Sequence, residues 1–350
     1  MFSPGCDRAD PDALREICAI IAARAERTAV EGPWQSGSFA ALASHGALAG
    51  FIPADCGGTA AGEAALLELL AAVAERCLTT ALAVSQWAAG CRIIAGGDAR
   101  LRAARLPALA SGTETTTVGI SQLSTSRRHL GTAALTATST GSAWRLDGLC
   151  PWVTGADASD TLVVGGAAPD GRAVFFVVPR ESPGLSIAPP LHMLALSGSR
   201  TSSVTFDGVV VEDAITPREG GVRTGGLATT ALALGATRAA VNIVAAEAAA
   251  RPALAAAAEG LQTEAEAAWA RLLAATAAEA GDRDRLRADA NGLVVRAAQA
   301  ALTATKGAGF VTGHPAERLV RESLFFLVWS CPQAVSTAVL CDLAGLDRAS

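Results

Sequence analysis

The first third of the chain, residues 1–112, has the hydrophobic pattern of helices. Apolar residues recur at helical spacing over 10–29, where acidic residues come first and arginines last, as the helix dipole favours. The Pro-Ala-Asp-Cys-Gly-Gly segment at 53–58 interrupts this pattern and predicts a loop. The pattern as a whole predicts a helical N-terminal domain. Its other helices are expected at 39–49, 63–77 and 79–94.

Residues 113–217 change to short segments in which apolar and polar positions alternate. Thr, Ser, Val and Gly replace Ala and Leu, and turn signals such as the Pro-Asp-Gly at 169–171 separate the segments. This spacing is typical of an antiparallel β-sandwich or small barrel without a long helix. The strands are expected at 132–139, 143–147, 161–165, 173–178 and 202–211.

Residues 218–350 return to a helical pattern that is rich in alanine, which predicts a bundle of four or five helices. The order helical, β, helical lacks the strand–helix alternation of Rossmann folds. We therefore expect an α+β protein with domains at 1–112, 113–217 and 218–350. The helices of the third domain are expected at 227–250, 264–280, 284–305, 317–328 and 333–343.

Composition and charge exclude several classes of protein. Of the 350 residues, 51% are apolar and 17% are charged, which rules out intrinsic disorder. A net charge of −5 does not suit a nucleic-acid-binding surface, which needs clustered basic residues. No uncharged apolar run reaches the ~18–20 residues of a membrane crossing, and the acidic N-terminus lacks the basic start of a signal peptide. We expect a cytoplasmic protein with no membrane span and no nucleic-acid partner.

The cysteines and histidines do not have the spacing of a metal site. None of the eight cysteines forms a C-x-x-C pair, and the four histidines are isolated in the sequence. In a cytoplasmic chain such cysteines most often behave as small buried hydrophobic residues. No metal site is therefore predicted.

Several segments, in the same order along the chain, resemble motifs of the acyl-CoA dehydrogenase family of flavoproteins. The likeness covers about residues 40 to 340 and implies that family's fold. In the first two domains the segments are GFIPADCGG at 50–58, similar to IPExxGG; PALASG at 107–112, similar to LPxLxSGE; PWVTGA at 151–156, similar to xWITNA; and SRTSSVTFDGV at 199–209, similar to SDTxxVxFDxVxV. In the third they are GAGF at 307–310 and HPAERLVRE at 314–322, similar to GGxGYxxxxPxERxxRD.

In the β-domain this resemblance implies an FAD site. The family's tryptophan covers the isoalloxazine ring and its threonine bonds near N5; they correspond here to Trp152 and Thr154. Gln122 stands where the family has a threonine at the pyrimidine edge of the flavin. Arg128 stands where a serine near the acyl-CoA phosphate is usual, and it either meets phosphate or faces water. For Trp152 and Thr154 the structural alternative is a core tryptophan and a strand-favouring threonine.

In the third domain the resemblance implies phosphate contacts and assembly. Arg251 matches an arginine that reaches the flavin pyrophosphate, usually from a neighbouring subunit; the alternative is a solvated charge at a helix end. Gly307 and Gly309 match a turn whose amides approach the cofactor, or else form an ordinary helix C-terminus. The family forms dimers or tetramers through this domain, so a homo-oligomer is expected.

The family's usual catalytic base is a glutamate, nine residues after the arginine of its RD motif. Counting from Arg321 leads to Ser330, between Trp329 and Cys331, so no carboxylate is present there. A serine hydroxyl is too weak a base near neutral pH, and loss of a general base typically costs ~10²–10⁴ in rate. Cys331 would serve only if a cation lowered the pKa of its thiol from about 8.5. No catalytic residue is assigned.

Three functions are consistent with these matches and departures. The first is an FAD-dependent oxidoreductase that acts on the CH–CH group of an acyl thioester, delivered by CoA or by a carrier protein. The second is a flavin-dependent monooxygenase on the same fold, which needs no glutamate at that position. The third is a non-catalytic or half-site subunit that pairs with a complete homologue in a hetero-oligomer.

Overall fold

The computed structural model describes residues 1, 3, 8–124, 134–217, 226–277, 282–329 and 331–346. The chain divides into two compact units. Unit 1 contains Met1–Leu66, Leu82–Met193 and Ser197–Thr224; unit 2 contains Leu67–Ala81, Leu194–Leu196 and Gly225–Ser350. The three-domain division at 1–112, 113–217 and 218–350 stays a prediction.

Long helices occupy the two stretches in which the hydrophobic pattern predicted them. The predicted segment 39–49 is shorter than expected, because a 3₁₀ turn at Leu48–Phe51 follows its helix instead of continuing it. The helices are Pro11–Glu31 (α1), Ser38–Ser44 (α2), Glu63–Arg76 (α3), Leu78–Ala95 (α4), Ala99–Ser111 (α5), Ser121–Ser124 (α6), Leu227–Ala250 (α7), Ala255–Ala277 (α8), Arg283–Gly309 (α9), Pro315–Ser323 (α10) and Gln333–Leu343 (α11).

Local capping sets the ends of the helices in unit 1. Asp10 accepts a hydrogen bond from the amide of Asp12 at 3.0 Å, and Gly32 ends α1 with a φ of 90°. The helix α5, which the pattern did not single out, begins at Asp98, whose carboxylate accepts from the amide of Leu101 at 2.7 Å. It ends at Gly112 in the left-handed conformation.

The strands of the described chain all lie within residues 113–217 of unit 1, and we call this part of the chain the β-domain. In the described chain they make one eight-stranded sheet in the order β6-β7-β3-β2-β4-β5-β8, with β1 paired to β4. The sheet is mixed, because β1 runs parallel to β4 over four residue pairs while the long ladders are antiparallel. The strands are Thr116–Gly119 (β1), Leu135–Ser139 (β2), Trp144–Val153 (β3), Thr161–Ala167 (β4), Ala173–Pro179 (β5), Leu185–Ile187 (β6), Ser202–Val211 (β7) and Ala214–Ile215 (β8).

Alternation along the strands builds the core of the β-domain. On β3, Leu146 and Cys150 are fully buried, and on β7 Val204 and Phe206 are buried against the same cluster as Phe176 of β5. Residues that point to one face of a twisted sheet meet in its interior. This core fixes the register of β3 against β7, which positions the candidate site.

Small residues allow the helices of unit 2 to approach closely. The core between α7, α9 and α10 consists largely of alanines, together with Val244 and Leu319. Within the described ranges, α7 is the one helix long and apolar enough to cross a membrane, with a mean hydropathy of 1.4 over 18 residues. However, 72% of that window is buried inside the protein, as in a core helix.

Candidate functional site

Trp152 lies on β3 at a point where the pairing with β7 changes register. Cys150 pairs with Val204 and Val153 pairs with Ser202, so β3 has one residue more than β7 over this interval. Such a β-bulge redirects side chains. Cys150 and Val153 are both fully buried, whereas Trp152 between them is 49% exposed. The preceding proline has no N–H to give to the ladder and suits this bulge.

Thr154, two residues further on, belongs to a row of buried hydroxyl groups. Its Oγ1 lies 3.2 Å from Oγ1 of Thr201, which lies 2.8 Å from Oγ of Ser199. Oγ1 of Thr117 donates a hydrogen bond of 2.6 Å to the carbonyl oxygen of Thr154. Because hydroxyl hydrogens can rotate, the row retains the capacity for a further hydrogen bond at Thr154.

The turn after Thr154 is held rigidly. Gly155 has a φ of 62°, and its amide donates to the carbonyl oxygen of Ser199 at 3.0 Å. A Cβ at this position would overlap the indole of Trp34, so the close approach requires glycine. The guanidinium of Arg200 forms an ion pair with Asp157 on the other side of the turn. These contacts fix the position of Thr154 relative to β7.

Gln122 points its amide group into the interior of the β-domain. Its Nε2 donates to the carbonyl oxygens of Gly165 at 2.8 Å and Gly119 at 3.2 Å, and it lies 3.1 Å from Sγ of Cys150. Burial raises the pKa of the Cys150 thiol to about 12, so that sulfur remains protonated. The Oε1 atom of Gln122 is buried and has no hydrogen-bond partner among the described residues.

Two of the predicted site residues lie outside the described residues. They are Arg128, predicted near an acyl-CoA phosphate, and Ser330, at the position of the family's glutamate. Both remain predictions from the sequence.

Arg251 ends α7 and joins it to the end of α9. Its Nη2 donates to Oε2 of Glu247 at 2.5 Å and to the carbonyl oxygen of Ala304. Its side chain is 32% exposed, so the guanidinium is neither buried nor fully solvated. The structure thus places Arg251 beside the segment that leads into Gly307 and Gly309.

The glycine pair lies after a break in α9. Lys306 has a φ of 55° and a ψ of −143°, a backbone conformation that residues other than glycine rarely adopt. A Cβ at Gly309 would overlap Oγ1 of Thr305 in the preceding turn, whereas one at Gly307 would meet nothing within 4 Å. Gly309 is therefore needed by the helix itself, and Gly307 leaves open space beside the break.

Two buried polar residues of α9, which the sequence analysis missed, hold the segment around Cys331. Nη2 of Arg287 donates to the carbonyl oxygen of Trp329 at 2.7 Å, and Nδ2 of Asn291 donates to that of Phe326 at 2.8 Å. Burial raises the pKa of the Cys331 thiol, and the nearby guanidinium of Arg287 only partly offsets this effect. The available signal was the placement of Arg287 and Asn291, four residues apart, on the apolar face of α9.

No protein-family model matches the chain, and no curated protein matches its sequence. Solved structures do match over nearly the whole length. A glutaryl-coenzyme A dehydrogenase in complex with glutaryl-CoA has a TM-score of 0.81 and 19% identity, covering 98% of this chain and 97% of its own. FkbI, for biosynthesis of the methoxymalonyl extender unit of a polyketide immunosuppressant, has a TM-score of 0.82 and 20% identity, covering 96% and 100%.

A third structure includes a reduced flavin. It is a glutaryl-CoA dehydrogenase from Mycobacterium smegmatis in complex with FADH2, with a TM-score of 0.77 and 18% identity, covering 97% of this chain and 96% of its own. At these identities the likeness establishes the fold. The resemblance indicated by the motifs is therefore confirmed at that level, and the chain has the α+β fold of the acyl-CoA dehydrogenases.

Proposed function

We propose that this chain is a flavoprotein oxidoreductase that binds FAD and acts on an acyl thioester of CoA or of a carrier protein. The observation that carries the proposal is the bulge on β3, which leaves Trp152 half exposed two residues before the buried Thr154. Support also comes from the end-to-end likeness to structures named as complexes with glutaryl-CoA and with FADH2.

The side chains of the β-domain suit a flavin chemically. An exposed indole offers a flat surface on which a flat heteroaromatic ring can stack. The Thr154 hydroxyl can donate a hydrogen bond to a ring nitrogen. Gln122 is held in the interior of the β-domain by its bonds to Gly119 and Gly165, so its contact with the pyrimidine edge of the flavin stays a prediction from the sequence. A bound flavin would supply a two-electron acceptor for a hydride equivalent from the substrate.

Arg251 retains donors for a phosphate group. Both of its hydrogen bonds, to Glu247 and to the carbonyl oxygen of Ala304, use Nη2. A guanidinium has five N–H donors, so the Nε–H and the two N–H groups of Nη1 remain available to phosphate oxygens as separate hydrogen bonds. The two existing bonds would hold the planar group in one orientation. In this proposal Arg251 contacts the cofactor's pyrophosphate.

Two versions of the proposal differ in whether the protein needs a base that accepts the α-proton of the substrate. Dehydrogenation removes an α-proton as well as a β-hydride, and residues 323–329 and 331–333 contain no carboxylate. The one thiol there, Cys331, has a raised pKa and is a poor base. This observation favours a second candidate, a monooxygenase that couples reduced flavin and oxygen to substrate oxidation without a base at this position.

Titration of the purified protein with FAD tests the cofactor proposal. The wild type should bind FAD, and Trp152→Ala should weaken binding by about 1–3 kcal/mol because a large stacking contact is lost. Trp152→Phe should recover part of the affinity. Trp269→Ala, which removes a tryptophan that lies under Arg238 in unit 2, is the matched control and should leave FAD binding unchanged. A protein that takes up no FAD would favour a non-catalytic subunit.

Anaerobic mixing with an acyl thioester separates the two reactions. A dehydrogenase should bleach the oxidised flavin band when butyryl-CoA or an acylated carrier protein is added. Bleaching only by an external flavin reductase, followed by oxygen consumption that matches product formation, would support the monooxygenase. Unchanged FAD affinity in Trp152→Ala would contradict the assignment of the β3 bulge to the cofactor.

A further inference from the structure

Unit 2 has an open cavity of 280 Å³ at its surface, just below the roughly 300–1,000 Å³ of small-molecule pockets. It lies among the end of α3, the start of α4, the second half of α7 and α10. Much of its wall is apolar, formed by Ala239, Ile243, Ala246 and Leu319. None of the residues that the sequence assigned to the flavin lines it.

One carboxyl group faces this cavity without a partner. Glu322 on α10 is 6% exposed and lines the cavity, yet no hydrogen bond or ion pair joins it to another residue in the described part of the chain. Burial raises the pKa of this carboxyl to about 7, although Arg318 and Arg321 lower it in part. At neutral pH about half of the Glu322 side chains are therefore protonated and can donate a hydrogen bond.

An arginine faces the same cavity. Arg318 lies one turn before Glu322, so the two side chains share one face of α10, and no ion pair to Arg318 occurs within the described ranges. The other carboxylate of the wall is already engaged: Glu75 accepts from Nδ2 of Asn242 at 3.0 Å and pairs with Arg76 at 3.1 Å. The cavity therefore has a permanent positive charge beside an acid that is about half protonated at neutral pH, and its protonated form favours an anion.

We infer that this cavity binds a small aliphatic carboxylate. The guanidinium fork of Arg318 would hold the two carboxylate oxygens, and protonated Glu322 would donate its O–H to one of them. The aliphatic chain would contact Ile243, Ala246 and Leu319. The inference stands on the geometry of unit 2 and does not depend on the flavin proposal.

Binding of this kind takes up a proton, so it should weaken as the pH rises. With a pKa of about 7 for Glu322, hexanoate should bind about tenfold more tightly at pH 6 than at pH 8.

The helices packed around Glu322 bring few other charged groups to it. α7 contributes the neutral Asn242 to the wall, and α9 packs on α10 through alanines. The titratable and charged groups around Glu322 are Glu317, Arg318 and Arg321 on its own helix and Glu75, Arg76 and Cys77 at the corner of α3 and α4.

Calorimetric titration of the full chain with hexanoate and with hexylamine tests the inference. Hexanoate should bind at one site per chain, and hexylamine should bind at least about tenfold more weakly. Arg318→Gln should weaken hexanoate binding by about tenfold or more. Arg285→Gln, which makes the same charge change at an exposed position on α9, should stay within about twofold of the wild type. Glu322→Gln should still bind hexanoate and should lose the pH dependence.

Ala246→Leu gives a second test that removes no charge. Ala246 lines the cavity at an exposed position, so a leucine there should narrow the cavity without disturbing the core. A folded Ala246→Leu protein should therefore bind hexanoate more weakly than the wild type, even if Arg318→Gln does not fold. The inference is overturned if the wild type does not bind hexanoate, if hexylamine binds equally well, or if Ala246→Leu leaves the affinity unchanged. If Trp152→Ala loses hexanoate binding and Arg318→Gln keeps it, the hexanoate site lies in the β-domain, and the inference is overturned.

Discussion

Burial decides the ionisation of several single residues in this protein. The thiols of Cys91 and Cys150 have raised pKa values because desolvation disfavours the thiolate. The carboxyl of Glu322 behaves in the same way and has a pKa of about 7 instead of its usual 4.5. The folded protein therefore favours the neutral form of Glu322, and its free energy of unfolding falls as this carboxyl ionises.

We predict that Glu322→Gln stabilises the protein in neutral and alkaline solution. The pKa of Glu322 is raised on folding, so the cost of ionising it appears as the pH rises above about 4.5 and is complete above about 7. At pH 8 this cost is about 3 kcal/mol in the wild type and absent in the variant, and at pH 5.5 it is about 1 kcal/mol. Urea unfolding at both pH values measures the difference. An equal effect of the substitution at the two pH values would contradict the raised pKa.

At the scale of secondary-structure elements, one glycine sets the distance between α7 and α3. A Cβ at Gly235 would overlap the carbonyl oxygen of Ala71, and it would lie 2.8 Å from the side chain of Ala74. Glycine in the middle of a helix ordinarily costs about 0.5–1 kcal/mol relative to alanine. Here that cost is offset by the close packing of two helices of unit 2.

We therefore predict opposite effects for two Gly→Ala substitutions. Gly235→Ala should destabilise the protein by about 1–3 kcal/mol, because α7 and α3 must separate to admit the methyl group. Gly260→Ala is the matched control: it is an exposed position on α8 where a Cβ meets nothing within 4 Å, and it should stabilise by about 0.5–1 kcal/mol. Thermal or urea unfolding measures both, and a stabilising Gly235→Ala would contradict this packing.

At the scale of the whole molecule, the solvent exposure of the cysteines shows which parts of the structure are closed to reagents. Of the seven in the described ranges, Cys56, Cys77, Cys91 and Cys150 are buried, as expected for small hydrophobic residues, and Cys18, Cys331 and Cys341 are partly exposed. Cys91 lies in the helical part of unit 1, and Cys150 lies in the β-domain. A thiol that is both buried and protonated reacts only when the structure around it opens.

Labelling with N-ethylmaleimide at pH 7.5, followed by mass spectrometry, should separate the two classes. Cys341 should react with the native protein at once, whereas Cys91 and Cys150 should react only in guanidinium chloride, because their exposure requires unfolding. Rapid labelling of Cys150 in the native protein would mean that the core of the β-domain is open, and it would contradict the hydrogen bond from Gln122 that we describe.

Part of the candidate site was accessible from the sequence. Trp152 and Thr154 stand out because a motif surrounds them, but their surroundings follow from the register of β3 against β7. The bulge that turns Trp152 outward depends on Val204 and Ser202, about fifty residues away in the chain. The roles of Arg287 and Asn291 likewise depend on carbonyl groups of a distant segment.

The amino-acid sequence by itself determined the order of helical and β segments, since apolar periodicity and capping are local properties of the chain. It also determined the motifs that indicated the fold, which the solved structures bear out. Only the tertiary structure decided that β1 runs parallel to β4, that Trp152 is exposed, and that Glu322 and Arg318 face one cavity. These features arise from contacts between segments far apart in the chain, where pairing register and burial set both side-chain direction and ionisation.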